Sequence, residues 1–304
     1  MKRSARPGFR AALLVLGGLL PGPLAAGQEP GPGRPTAEDL PRLIQELDRG
    51  AGSEDALAGL GAAAVPALLA GLAEAAPPAR LRRVRLLAGL ASAAETPLLA
   101  GLLEGERDPR VRLVLVHALG RRDVPGWRDV IEGRVAALAR ALSDPARPVA
   151  AVALERLVAM DEELAAAALA EAVRRRSFPL RREALVGLAG MESAWRVLPG
   201  LLDLVREELP DLLPTLLPGL GTRYREEAVG PILEFLGSRE PNLRSAAYQA
   251  LAGMDAWLFA RHDHGRRLEL NARAARSWPG RLDLAWGAAT VVVLDDRKLA
   301  DPAE

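Results

Sequence analysis

The sequence predicts an all-α protein, an α-solenoid of about six to seven stacked helical hairpins with a small C-terminal cap that contains a β-hairpin. The main observation is the phasing of prolines. One series recurs at intervals of 31 to 36 residues: Pro78, Pro109, Pro145, Pro179, Pro210 and Pro241. A second series opens short leucine-rich runs: Pro66, Pro97, Pro199 and Pro231. Because proline is favoured in the first turn of a helix, two helix starts per period indicate a stack of helical hairpins.

The composition agrees with this architecture. Hydrophobic residues make up 49% of the 304 residues and charged residues 26%, which is typical of a globular chain. Aromatic residues are only 4%, so the core must be built from leucine, alanine and valine. Cysteine is absent, which excludes a disulfide, a thiolate metal site and a cysteine nucleophile.

Residues 1–27 are predicted to be a signal peptide. The basic n-region holds Lys2, Arg3, Arg6 and Arg10. An apolar stretch follows over 11–20, and Ala25-Ala26-Gly27 provides small residues for cleavage before Gln28. We therefore expect an exported protein, periplasmic or secreted, with no membrane span after cleavage. The alternative is an uncleaved N-terminal membrane anchor, although ten apolar residues are short for a span.

Cleavage would also change the net charge. The predicted signal holds four of the 40 basic residues and no acidic residue, which leaves 36 basic against 39 acidic residues and a charge of about −3. Nucleic-acid binding normally requires a basic surface. We therefore expect no nucleic-acid partner.

The elements follow in order along the chain. Residues 28–37 form a proline- and glycine-rich linker, and the repeats occupy 38–254, beginning with an atypical pair of helices. In the six fuller repeats the first helices are predicted near 65–76, 96–104, 128–142, 161–176, 194–207 and 225–237. The second helices are predicted near 78–91, 109–120, 146–159, 179–190, 210–220 and 241–253. In the fifth repeat, Pro214 and Pro218 would each remove a backbone hydrogen bond, so this segment is expected to be kinked or split.

Residues 255–304 are predicted to form the C-terminal cap and a tail. Alternating residues over 282–286, a turn at Gly287-Ala288 and the β-branched run 290–294 predict the hairpin. The segment also contains three of the five tryptophans: Trp257, Trp278 and Trp286. We expect them to cover the open apolar end of the stack, as a solenoid requires for solubility. An exposed aromatic platform for glycans or peptides is the alternative.

The repeats resemble HEAT repeats, in particular the bacterial HEAT-like type. The segment Asp108-Pro109-Arg110-Val111-Arg112 followed by Ala118-Leu119-Gly120 matches the family pattern Asp-Pro-x-Val-Arg…Ala-Leu-Gly. A conservative version runs from Glu240 to Arg244. The resemblance covers about residues 40–254 and implies an interaction scaffold. It also implies structural roles for Asp108, Arg112, Glu240 and Arg244. The carboxylate would cap the second helix, and the arginine would lie near acidic groups in the turns.

The densest basic run is the candidate partner-binding surface: Arg80, Arg82, Arg83 and Arg85. It lies on a predicted second helix, which should line the inner groove of the solenoid. One hypothesis is that these arginines bind an acidic partner. The other is that they form a solvated helix face balanced by neighbouring carboxylates.

His262-Asp263-His264 is the only cluster in the sequence with the spacing of metal ligands. A tetrahedral site needs a third and usually a fourth ligand, so we predict an exposed polar turn instead. The sequence contains no nucleophile elbow, phosphate loop or zinc-protease motif. We therefore assign no catalytic residue, cofactor or metal.

The expected function is that of a non-catalytic protein–protein interaction scaffold of the cell envelope, with a partner protein bound along the inner groove. The alternative is an enzyme or enzyme accessory whose site lies in the C-terminal cap, where His262, His264 and the tryptophans cluster. A third class, HEAT-like nucleic-acid binding, is disfavoured by the predicted export and by the charge of the mature chain.

Overall fold

A computed structural model describes residues 35–121 and 128–277. All regular elements within those ranges are α-helices or 3₁₀-helices, so the described part of the chain is all-α, as predicted. The predicted signal peptide, most of the linker, the β-hairpin and two of the cap tryptophans, Trp278 and Trp286, lie outside the described residues. Within the described ranges, no helix combines the length and the apolar character needed to cross a bilayer.

The contacts divide the chain into two units, one up to Ala118 and one from Leu119 onwards. The helices of the first unit are α1 (Leu40–Arg49), α2 (Glu54–Leu60), α3 (Val65–Leu69), α4 (Pro77–Leu90), α5 (Thr96–Gly105) and α6 (Pro109–Leu119). Helix α4 packs against α1, α2 and α3. The apolar face of α1 is buried at Leu43, Ile44 and Leu47.

The second unit contains the remaining helices. They are α7 (Arg128–Ala141), α8 (Arg147–Met160), α9 (Glu163–Arg174), α10 (Arg181–Gly190), α11 (Leu202–Glu208), α12 (Leu213–Leu220), α13 (Glu226–Leu236), α14 (Pro241–Phe259) and α15 (His264–Ser277). Each first helix packs on its second helix: α7 on α8, α9 on α10, α11 on α12 and α13 on α14. The second helices also pack on one another in order, from α8 through α10 and α12 to α14.

Two stretches differ from the predicted helices. The predicted first helix over 65–76 ends early, because α3 stops at Leu69. The predicted helix over 194–207 is divided into 3₁₀-helices over Glu192–Arg196 and Pro199–Leu201 and the short helix α11. Proline explains the second break, since Pro199 has no N–H to donate to a continuing helix.

The proline-rich fifth repeat is split, as predicted. A 3₁₀-helix over Pro210–Leu212 leads into α12, which has Pro214 in its first turn and Pro218 inside it. Pro214 is tolerated because the first N–H groups of a helix have no intrahelical acceptor.

Near its C-terminal end, α12 approaches the two neighbouring second helices, α10 and α14, closely. A Cβ atom placed on Gly219 of α12 would lie 2.7 Å from the carbonyl oxygen of Ala189 in α10. One placed on Gly221 would lie 2.2 Å from the carbonyl oxygen of Ala250 in α14. The backbones are therefore in direct contact, which only glycine permits at these positions. This close approach gives a physical reason for small residues near the end of each second helix.

Ion pairs between side chains about one repeat apart follow the same order. Arg196 pairs with Glu163 at 2.6 Å, Arg176 with Glu208 at 3.1 Å and Arg206 with Glu234 at 3.0 Å. The partners are 33, 32 and 28 residues apart in sequence. Exposed pairs of this kind contribute at most about 1 kcal/mol each, so they add little to the stability of the fold.

Helix α14 continues through the predicted boundary between repeats and cap at residues 254 and 255, and it ends at Phe259. Its Asp255 is only 6% exposed. That carboxylate accepts hydrogen bonds from Arg267 of α15 at 2.7 and 3.0 Å and from Asn271 at 3.3 Å. A buried carboxylate with three donors is well satisfied, so this contact fixes α15 against α14.

Candidate functional site

The arginines of α4 are largely engaged inside the first unit. Arg82 donates from Nε to the carbonyl oxygen of Leu47 at 2.7 Å, and a terminal nitrogen donates to that of Asp48. These carbonyls belong to the last turn of α1, where C=O groups lack the usual i+4 donor, and that of Leu47 also accepts the N–H of Gly50 at 3.0 Å. Arg82 therefore caps the C-terminus of α1.

Arg83 and Arg80 also have internal partners. Arg83 is 8% exposed; it donates to both carboxylate oxygens of Asp48, and to the carbonyl oxygen of Ala70 at 2.6 Å. Arg80 lies 3.2 Å from a carboxylate oxygen of Glu106. A buried charge is tolerated when it is paired in this way. These contacts favour structural roles for Arg80, Arg82 and Arg83.

Arg85 differs from the other three arginines of the run. Its side chain is exposed, and within the described residues no carboxylate lies at ion-pair distance from it. The predicted basic surface thus presents one exposed guanidinium without an internal partner, and its role in partner binding stays a prediction.

Asp108 caps α6 as the resemblance implies. Its Oδ1 accepts a hydrogen bond from the backbone N–H of Arg110 at 2.9 Å. Hydrogen bonds from the Arg110 side chain and backbone lower the pKa of Asp108 from 3.8 to about 2. Arg112 donates to the carbonyl oxygens of Glu106 at 3.3 Å and Arg107 at 2.7 Å, so it ties the turn to the helix.

The equivalent pair at the last repeat departs from that expectation. Arg244 donates to the carbonyl oxygens of Ser238 at 2.8 Å and Arg239 at 3.0 Å, which matches the pattern of Arg112, but it makes no ion pair within the described residues. The expected side-chain cap is not formed at Glu240. Glutamate is one methylene longer than aspartate, and it is not among the residue types that cap helix N-termini well.

His262 lies in the turn between α14 and α15, and His264 is the first residue of α15. Both side chains are exposed, and their ring centroids are 6.4 Å apart. His262 adopts a left-handed backbone conformation with φ of 58°. In residues 35–121 and 128–277, no group of three or more His, Cys, Asp or Glu side chains is placed to hold a metal ion. An exposed turn is thus present at His262, whereas His264 is exposed in the first turn of α15.

Trp257 is the one cap tryptophan within the described residues. It lies on α14 and is half-buried, and the guanidinium of Arg261 stacks 3.7 Å from its ring centroid. The role of the tryptophans in covering the end of the stack stays a prediction.

A second tryptophan site was missed by the sequence analysis. Trp195, in the 3₁₀-helix Glu192–Arg196, has three guanidinium groups around its ring. The centroid lies 4.6 Å from the guanidinium carbon of Arg196, 5.2 Å from that of Arg223 and 4.6 Å from that of Arg225. We call these four residues the Trp195 cluster. The sequence signal is Arg223-Tyr224-Arg225 in a turn about one period after Trp195-Arg196.

A shallow apolar depression also lies between α10, α11 and α12. It is lined by Leu185, Val186, Val205, Leu212, Thr215 and Leu216. Thr215 supplies its one side-chain hydroxyl, and no lining residue is ionisable. This depression therefore offers no acid–base pair for catalysis.

Neither a protein-family model nor a curated protein matches this chain.

Proposed function

We propose that the chain is a non-catalytic protein–protein interaction scaffold, exported to the cell envelope, that binds a partner protein along the exposed side of its second helices. The proposal includes a HEAT-like α-solenoid as the complete architecture. The observation that carries it is the ordered packing of α8, α10, α12 and α14, each on the next. Units that pack on their neighbours create an extended surface and need no central pocket.

The exposed positions of these helices suit protein contact. Ala151 of α8, Thr215 of α12 and Gln249 of α14 are exposed and uncharged. Charged groups such as Arg182 also occur on these helices, and Arg182 pairs with Asp211 in the segment just before α12. A partner can cover the uncharged positions without removing a charge from water, whereas charged pairs belong at the polar rim of an interface.

Site-specific photo-crosslinking tests the proposed face. A benzophenone amino acid would be placed at Ala151, Thr215 or Gln249 in the native host, with matched controls at Ala136 of α7 and Ala167 of α9. All five positions are exposed, and the controls lie on first helices. We expect one discrete adduct from the second-helix positions and none from the controls. Equal adducts from both faces, or none from any position, would contradict the proposal.

Small-angle scattering tests the architecture separately. An elongated particle is expected from stacked hairpins, and a compact sphere would contradict the solenoid while leaving the helical content intact.

The alternative function places an enzyme site in the C-terminal cap. Its structural basis is the proximity of the two exposed imidazoles of His262 and His264. Two imidazoles can share a proton-transfer role, but a reaction also needs a group that binds substrate beside them. The double alanine variant described in the Discussion separates this alternative from the scaffold.

A further inference from the structure

We infer that the Trp195 cluster is a recognition site for a single carboxylate side chain, glutamate or aspartate, that lies beside an apolar residue in a segment of the partner protein. The inference rests on the proposed scaffold function in that the ligand belongs to a protein partner. The cluster itself lies apart from the exposed second-helix face, since it joins a first-helix segment to the turn before α13.

The cluster concentrates positive charge. All three guanidinium carbons lie within 5.2 Å of one ring centroid, so no two of them are more than about 10 Å apart. That distance is close to the Debye length at physiological salt, so their mutual repulsion is only partly screened. Cation–π attraction to the indole offsets part of this repulsion.

Two of the three charges are already neutralised. Arg196 pairs with Glu163 at 2.6 Å, and Arg225 pairs with Glu227. Arg223 has no carboxylate at ion-pair distance among the described residues, and its side chain is partly exposed. Of the three guanidinium groups in the cluster, only that of Arg223 therefore lacks a carboxylate partner among the described residues. It lies beside the ring of Trp195.

The geometry of the free group selects the ligand chemistry. A guanidinium presents a planar fork of donors that matches a carboxylate with two parallel hydrogen bonds. Glu163 and Glu227 border the cluster and would repel an extended polyanion such as a nucleic-acid backbone. One isolated carboxylate is compatible with these neighbours, because its single charge can pair with the guanidinium of Arg223 alone.

Trp195 determines what should accompany the carboxylate. Its side chain is half-buried, so part of it stays exposed to solvent. An exposed tryptophan surface is best covered by an apolar group, and tryptophan and arginine are both enriched among the residues that dominate interface energies.

Nuclear magnetic resonance titration of the purified protein tests the site. The probe is the acetylated tripeptide amide Leu-Glu-Leu, with Leu-Gln-Leu as its uncharged match. We expect the indole N–H signal of Trp195 and the Nε–H signal of Arg223 to shift saturably with the acidic probe only. The Arg223→Gln variant should bind it about tenfold more weakly, and Arg223→Lys should fall between, because lysine keeps the charge but loses the fork.

Arg261→Gln is the matched control. Arg261 is also exposed and stacked on a tryptophan, Trp257, so this variant removes the same charge and the same kind of ring contact. It should bind the acidic probe as well as wild type does. Equal weakening by both glutamine variants would overturn the inference, since general electrostatics would then explain the binding. Circular dichroism confirms that each variant is folded.

Other outcomes also decide the matter. No shift with the acidic probe overturns the inference, and so does an equal shift with inorganic phosphate or with Leu-Gln-Leu. Tighter binding of a thymidine hexanucleotide at the same signals would assign the cluster to nucleic acid instead. The titration uses no partner protein, so a negative titration would not contradict the scaffold function that the crosslinking tests. Conversely, the titration can still be interpreted if the crosslinking yields no adduct.

Discussion

Replacing Gly221 by alanine tests the close packing of the second helices most directly. Gly221 ends α12 with φ of −84° and ψ of −1°, a conformation that alanine adopts without strain. Any cost must therefore come from the neighbouring helix. An added Cβ would lie 2.2 Å from the carbonyl oxygen of Ala250, 2.4 Å from its Cα and 2.6 Å from its carbonyl carbon.

The expected loss in the free energy of unfolding follows from these distances. The shortest falls about 1.2 Å below the 3.4 Å at which ordinary van der Waals contact begins. All three atoms belong to the backbone of α14, so no side chain can rotate away and the helices must separate. Overpacking of this kind costs about 1–3 kcal/mol. Alanine regains about 0.4–1 kcal/mol by restricting the unfolded chain, so we expect a net loss of about 1–2 kcal/mol.

Gly190→Ala is the matched control for Gly221→Ala. Gly190 is the last residue of α10, and a Cβ placed on it meets nothing within 4 Å. This variant should gain up to about 1 kcal/mol in the free energy of unfolding, since helix propensity and chain entropy both favour alanine there.

Replacing Gly253 by alanine tests the same contact from the side of α14. A Cβ atom placed on Gly253 would lie 2.5 Å from the carbonyl oxygen of Gly221. The effect of this replacement should not add to that of Gly221→Ala, because both open the same interface.

Urea denaturation followed by circular dichroism gives the free energy of unfolding for each variant. Hydrogen exchange should show that Gly221→Ala exposes amides of α12 and α14 before those of more distant helices, since proteins open locally where packing is weakened. Equal free energies of unfolding for Gly221→Ala and Gly190→Ala would refute the reasoning. The close contact between the backbones of α12 and α14 would then have no effect on stability when a Cβ atom is added.

Four further predictions follow from the fold and the sequence. Leu119 is 2% exposed, and its replacement by alanine should lower the free energy of unfolding by about 2–5 kcal/mol in urea denaturation. The pKa of Asp108 is lowered from 3.8 to about 2, so its charge stabilises the fold above pH 3.8 and loses that effect as the pH falls through about 2. The stability difference between wild type and Asp108→Asn should therefore shrink over that range, and a constant difference would contradict the role of the charge. Changing both His262 and His264 to alanine should leave folding, partner adducts and metal content unchanged, as circular dichroism, crosslinking and elemental analysis would show; loss of an activity or of a stoichiometric metal would favour the enzyme alternative. N-terminal sequencing of the native protein should begin at Gln28 or within a few residues, and an intact N-terminus would contradict cleavage.

The order and spacing of the helices were predictable from local sequence. Proline restricts φ and removes a donor wherever it stands, so it marks helix starts without reference to the rest of the chain. The structure bears this out at Pro66, Pro97 and Pro241, each in the first turn of a helix. Pro231 is an exception, because it lies inside α13 and not at its start. The split fifth repeat was predictable for the same reason, because Pro210 and its neighbours act on their own backbone.

The roles of charged side chains depended on tertiary structure. Arg83 and its partner Asp48 are 35 residues apart in sequence, and nothing local shows that one will be buried against the other. The three arginines around Trp195 likewise come from two segments that only tertiary packing brings together. Proline acts on its own backbone, whereas a guanidinium takes its role from whichever carbonyl, carboxylate or ring the fold places beside it.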